Sequence, residues 1–405
     1  MIPRGLMPDW RFRVLAVATH PVQYQVPLFR RMAAREDLEL QVAYCTLRGA
    51  EAAHDPEFGA TVQWDVPLLD GYSWIQVPNR GSGAESFFGL RNSGLWKLIR
   101  DGKFDAVLCY ASYVRATFWI AYFAAKFSGA AFLFGTDTTT LTPLDGRMWK
   151  RRVKGLVWPL LFRLADQVIV PSSGSRELMR SLGLPEERVT LTPYVVDNDW
   201  WLAQSARVDR AAVRAAWGAS PKDAVVIFCA KLQPWKRPLD LLRAFAKAKI
   251  PKAILVFAGE GPLRSGLESE AAALGIAGQV RFLGFVNQTQ LPGIYTGADV
   301  MVLPSVYDAF GVVINEAMLC GCPVIASDHV GAARDLIAEG RTGFVYPCGE
   351  IDALAVLLQR ALASRAQLSE LGRVARMRME TWSPRQNAEF AQGALAAQPS
   401  RRWIR

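Results

Sequence analysis

Two lysines, Lys231 and Lys236, follow the apolar run AVVIFCA (224–230), and the segment that holds them ends at Pro238, where the helical pattern LDLLRAF begins. Ammonium groups at the end of a strand suit a diphosphate, each charge-assisted contact contributing about 1.5–3 kcal/mol. The same residues also read as two solvated surface lysines. Further along, SVYDAFGVVINEAMLCGCPVIASD (305–328) places Asp308 in a loop after another apolar run. Phe310, Gly311 and Val312 then open a helix, and Glu316 falls in its second turn. Backbone amides at a helix start bind phosphate oxygens, and glycine allows close approach. A carboxylate such as Glu316 can accept both hydroxyls of a vicinal ribose diol, while Asp308 would face whatever the phosphates carry. Taken singly, they are an acidic turn residue and a solvated helix glutamate.

Other residues compete for a role. His20, with Gln23 and Tyr24 in THPVQYQVPLF (19–29), could orient an acceptor hydroxyl or cap its own helix. Asp137 in FGTDTTT is a second such residue, or an ordinary turn aspartate. Gly259 and Gly261 in AGEGPLRSG lie between a strand and a helix, but the third glycine of a dinucleotide fingerprint is misplaced and no acidic residue lies near position 279, so a glycine turn suffices. Cys320, Cys322, His329 and Cys348 offer four ligands for zinc, yet Gly321 reads as a helix-ending glycine, and no metal site is assigned. The stretch RMWKRRVKGLVWPLLFR (147–163) carries six basic and no acidic side chains. Helical spacing directs Trp149, Val153, Leu156, Val157, Leu160, Leu161 and Leu164 to the core and leaves Arg151, Lys154, Trp158 and Phe162 on the outward side. That side suits an anionic bilayer, or is a solvated basic face.

The elements that must position these residues alternate as apolar strand runs and helical patterns, the rhythm of parallel βαβ units. One series runs through 12–18, 41–44, 105–110, 130–135 and 167–172; a second runs through 224–230, 253–259, 279–285, 299–305, 323–328 and 343–347. The class is therefore α/β, with two doubly wound, Rossmann-like domains, expected over 1–200 and 201–375, and a helical tail over 376–405 crossing back to the first domain. Ligands of such sheets bind beyond the carboxyl ends of the strands, where the loops named above lie. Ala116 to Gly135 has the length of a membrane span, but Lys126 at its middle and the stop at Ser128 and Gly129 make it a buried helix followed by a strand. With 405 residues, 51% of them hydrophobic, the chain excludes a disordered or single small module, and its net charge of +10 favours an anionic partner. Six scattered cysteines and an N-terminus without a signal-like apolar stretch point to reduced thiols and a cytoplasmic address, peripheral on the inner face of the cell membrane if residues 147–163 bind lipid.

Taken in order, Lys231, Lys236, Asp308, the FG pair, Glu316, EAMLCGCPVIASD and RTGFVYP resemble the donor domain of the family 4 glycosyltransferases of the GT-B fold, over about 224–365. The resemblance implies two Rossmann-like domains facing each other across a cleft. It also implies a retaining, metal-independent transfer from a nucleoside diphosphate sugar to a glycan or lipid-linked acceptor, as in surface polysaccharide synthesis, with no cofactor and no nucleic-acid partner. By it, Lys231, Lys236 and the amides of Gly311 and Val312 hold the diphosphate, with Phe310 in the same donor-binding loop, and Glu316 holds the ribose. Asp308, at the donor sugar, and His20, which could touch the transferred sugar or orient the acceptor, are the candidate catalytic residues. Asp308 occupies a position that is usually glutamate, one methylene longer. A sugar-nucleotide epimerase or phosphorylase of the same architecture, or a non-catalytic binder of anions or membrane, is the alternative.

Overall fold

A computed structural model describes residues 11–55, 58–143 and 146–396. The N-terminal stretch read as lacking a leader, and the tail from residue 397, lie outside the described residues. The chain divides into two units. Unit 1 takes the chain up to Glu51, Pro67–Pro193 and the chain from Pro384; unit 2 takes Ala52–Val66 and Tyr194–Ser383. The passage between them therefore falls at 193/194, and Ala52–Val66, inside the expected first domain, groups with the second unit.

The strands are, in chain order, β1 Phe12–Ala18, β2 Leu38–Tyr44, β3 Ala53–Asp55, β4 Ala60–Val62, β5 Ser73–Gln76, β6 Ala106–Cys109, β7 Ala131–Gly135, β8 Gln167–Val170 and β9 Val189–Leu191. Unit 2 continues with β10 Ala224–Cys229, β11 Ala253–Ala258, β12 Val280–Gly284, β13 Val300–Leu303, β14 Val324–Ser327 and β15 Gly343–Tyr346. Unit 1 orders its sheet β5-β2-β1-β6-β7-β8-β9 and unit 2 orders its sheet β12-β11-β10-β13-β14-β15. Both are parallel throughout. The two sheets are Rossmann-like, as the rhythm of apolar runs predicts.

Near-continuous Val, Ile, Leu and Ala runs form these strands because both sheet faces are covered. In β1, Leu15 and Val17 enter one core and Val14, Ala16 and Ala18 the other. In β10, Val225 and Ile227 face one core and Val226 and Phe228 the opposite one. On the first face of unit 1 lie three helices that matter below, and on the second lies α1, Val26–Ala33, with the tail helix Pro384–Ala396. The three are α2 Gly94–Gly102, α3 Ala116–Ser128 and α4 Trp149–Arg163. Gly129, at φ +61°, ends α3, and β7 follows, so the span-length stretch is a helix and a strand as read. No helix among the described residues is long and apolar enough to cross a membrane.

Helix α4 corrects the sequence reading. Its buried residues are Trp158, Leu161 and Phe162, whereas Trp149, Val153, Leu156, Val157 and Leu160 are exposed. Both sides of this helix are apolar, so spacing alone does not choose between them. The choice is made by the fit of aromatic rings: Phe162 stacks on Phe134 of β7 at 5.6 Å, and the Trp158 indole donates to the Tyr113 hydroxyl at 2.8 Å. Trp158 and Phe162 are therefore core residues and not a lipid-facing pair.

Candidate functional site

In unit 2 the strand order reverses between β10 and β13, and a crevice at such a switch point is where open α/β sheets take their ligands. The loops after these two strands carry the residues singled out from sequence. Lys231 leaves the end of β10, and Lys236 closes a short 3-10 turn, Pro234–Lys236, before the helix Pro238–Ala248. Asp308 lies beyond β13. Its Oδ2 accepts from Lys236 Nζ at 2.5 Å, and Val306 N–H donates to Trp235 O at 2.8 Å, so the two loops are laced together.

Lys231 is held from a different direction. Its Nζ lies 3.3 Å from Asp55 Oδ2 and 4.5 Å from the centre of the Phe58 ring. Asp55 ends β3, and the β3–β4 hairpin segment is tied to unit 2 by Phe58 against Phe285 at 5.1 Å and by Asn287 Nδ2 donating to Gln63 O at 2.8 Å. Behind Lys231, the backbone of Gly259 passes so close that a Cβ there would meet Ala230 O at 2.0 Å. Leu232 N–H donates to Glu260 O at 2.9 Å. The glycine turn read from AGEG thus fixes the loop that presents Lys231.

Gly311 adopts φ +90°, where a Cβ would meet Val330 Cγ1 at 2.7 Å, so glycine is required at this turn. The helix begins at Val313, a turn later than expected, and Gly311 and Val312 belong to the preceding loop. The Phe310 ring is buried against Tyr194 and Trp382 and so anchors the loop from the core side. Glu316 projects from Val313–Leu319 and is only 8% exposed, which rules out a solvated helix glutamate. The Tyr295 hydroxyl donates to its Oε2 at 2.8 Å and lies 3.2 Å from Cys229 Sγ. Burial pushes the Glu316 carboxyl up to about 7, against the lowering effect of that hydrogen bond.

The remaining residues lie elsewhere. His20 follows β1 with Nδ1 3.0 Å from Thr19 Oγ1, and Gln25 is the N-cap of α1, so His20 is not a helix cap. Asp137 lines a cavity of about 250 Å³ in unit 1 at the ends of β6 and β7, together with Tyr110, Tyr113, Lys154, Trp158 and Phe162. Lys154 Nζ sits 4.8 Å from the centre of the Trp158 ring. Three of the four residues assigned to a lipid face thus line a pocket instead, and Arg151 alone is exposed. Cys320 and Cys322 are buried in the unit 2 core, and no cluster of three or more His, Cys, Asp or Glu among the described residues is arranged for a metal. Sequence reasoning missed Asp55, Phe58 and Tyr295. Only Tyr295 carried a signal, as a tyrosine in an apolar helix whose hydroxyl needs a partner.

The family described as Glycosyl transferases group 1 matches residues 209–378, and the Glycosyl transferase 4-like domain matches residues 21–195. Among curated proteins, D-inositol 3-phosphate glycosyltransferase of Rhodococcus jostii (strain RHA1) is 34% identical over 218 residues, 52% of this chain and 47% of that protein. The chain spans about half the length of the curated relatives it matches. Among solved structures, Anabaena HepE in complex with UDP and glucose superposes with a TM-score of 0.74 at 19% identity, covering 96% of this chain and 100% of that one. A glycosyltransferase from Rickettsia africae ESF-5 gives 0.71 at 17% identity, covering 96% and 100%. These neighbours share the GT-B fold.

Proposed function

The chain belongs to the group 1 glycosyltransferases with a 4-like N-terminal domain, and on that premise we propose that it transfers a sugar from a nucleoside diphosphate sugar to a glycan or lipid-linked acceptor, with retention of configuration. The observation that carries this reading is the pairing of Lys236 with Asp308 across the two loops at the unit 2 switch point, one of which also carries Lys231 while the other leads into the helix of the buried Glu316. A diphosphate competes for the Lys236 ammonium and releases the Asp308 carboxylate toward the sugar. Lys231, Lys236 and the amides of Gly311 and Val312 then meet the charge that grows on the leaving diphosphate as the glycosidic bond breaks. Glu316 accepts from the ribose hydroxyls. The unit 1 cavity supplies aromatic faces, Asp137 and Lys154 for the acceptor, with His20 beyond the end of the neighbouring β1. The relatives' name directs the first acceptor trials to phosphorylated cyclitols, and the HepE complex directs the first donor trials to uridine nucleotides.

Lysines rather than a divalent ion neutralise the diphosphate in this mechanism, so transfer should persist in excess chelator. The reading is tested by incubating the protein with a panel of nucleotide-sugars in chelator, with and without acceptor, and measuring free nucleoside diphosphate. Acceptor-dependent release supports transfer. Conversion of the donor without any acceptor would indicate epimerisation, and rescue of a dead reaction by magnesium or manganese would contradict the lysine-only site.

A further inference from the structure

Helix α4 has a second apolar face that its packing on the sheet leaves uncovered. Trp149, Val153, Leu156, Val157 and Leu160 recur at three- and four-residue spacing and are 61%, 46%, 76%, 48% and 66% exposed. They lie opposite Trp158 and Phe162, which are 5% and 1% exposed. Single exposed apolar residues need no explanation, but a contiguous stripe from Trp149 to Leu160 along one helix marks an interaction surface. Helix α3 is on the same face of the sheet, since Phe118 and Phe162 both touch Phe134. It exposes Phe123 and Phe127, and Trp96 of α2 meets Phe127 at 5.5 Å.

Charge decides what the surface fits. The segment 147–163 has six basic and no acidic residues, and Arg152 and Arg163, which flank the stripe, are exposed, as is Arg147 ahead of the helix. A second copy docked about a two-fold axis would bring these cations face to face. An anionic bilayer instead accepts both components: the aromatic and aliphatic stripe enters the boundary between headgroups and acyl chains, and the arginines meet lipid phosphates. With about 1.5 Å of rise per residue α4 is too short to span a bilayer and is suited to lie in its surface.

We propose that this outward face of α4 seats unit 1 on an anionic lipid surface. Seating it there brings the cavity lined by Lys154 and Trp158, on the other side of the same helix, to the bilayer surface, where the reactive end of a lipid-borne acceptor is found. The proposal is independent of donor chemistry, because transfer to a soluble acceptor in the absence of vesicles does not require it.

Co-sedimentation of the whole protein with phosphatidylglycerol-containing and with pure phosphatidylcholine vesicles tests it. Binding to the anionic vesicles alone is expected, weakening as salt is raised. The partition coefficient should fall about tenfold or more in Leu156→Glu/Leu160→Glu. It should fall about fivefold for each arginine removed in Arg152→Ser/Arg163→Ser. All four side chains touch solvent, so each variant should keep the wild-type melting temperature within a few degrees. Absence of wild-type binding to anionic vesicles at low salt, or unchanged binding by both variants, would overturn the proposal. So would a lipid-independent dimer in analytical ultracentrifugation that Leu156→Glu/Leu160→Glu dissolves, which would assign the face to a second copy.

Discussion

Glu316 keeps a carboxyl group where burial works against its ionisation, and that conflict has two measurable consequences. Its folded value near 7 lies above the ordinary glutamate range, so between about pH 4.5 and 7 the folded state binds the proton more tightly than the unfolded chain. Stability is therefore lost as pH rises through that window, by on the order of 3 kcal/mol at full development. If Glu316 accepts from the ribose hydroxyls as proposed, nucleotide affinity should run the other way, rising from pH 6 to pH 8 as the carboxylate forms. Glu316→Gln should remove this component of the stability slope between pH 5 and 8 in urea titrations while costing about 1–3 kcal/mol in nucleotide affinity. A variant with the wild-type slope would show that another group causes it. The position of Glu316, eight residues beyond Asp308, was legible in the sequence. Its burial was not, because that depends on Tyr295 and Cys229, which come from a helix and a strand distant in the chain.

Helix α4 shows where periodicity stops being informative. Residues on both of its sides are apolar, and the side that packs is the one whose rings fit Phe134 and Tyr113, a fit that belongs to three dimensions. Trp158→Ser should thus destabilise the protein by about 3–5 kcal/mol, as loss of a large core side chain does. Leu156→Ser should change stability by about 0.5 kcal/mol or less. Denaturant midpoints of the two variants decide it, and the reverse ranking would restore the face inferred from spacing. The central strands were legible because runs such as AVVIFC and AILVFA are covered on both faces. Strand β5, SWIQ, was not, since all four of its residues are exposed and it pairs only with β2 at the sheet edge. The β3–β4 hairpin escaped for a related reason: strands of three residues leave little pattern, yet the hairpin brings Asp55 and Phe58 to Lys231.

Across the whole molecule, one rhythm of strand and helix builds two parallel sheets, and that duplication was the most legible property of the chain. The assignment of segments to units was less so. Ala52–Val66 groups with unit 2 and the chain from Pro384 with unit 1, and neither return is written in local composition. Basic residues behind the net charge of +10 also gather in separate places, lysines after β10 in unit 2 and arginines along α4 in unit 1. The two lysines are proposed to form a diphosphate site. Isothermal titration of UDP, and of other nucleoside diphosphates if UDP does not bind, into wild type, Lys231→Ala and Lys236→Ala in excess chelator tests it most directly. Metal-free binding by the wild type, weakened about 10- to 100-fold in each variant, is the predicted result. Equal affinity in all three proteins, or binding that appears only when a divalent ion is added, would remove the lysines from the diphosphate site.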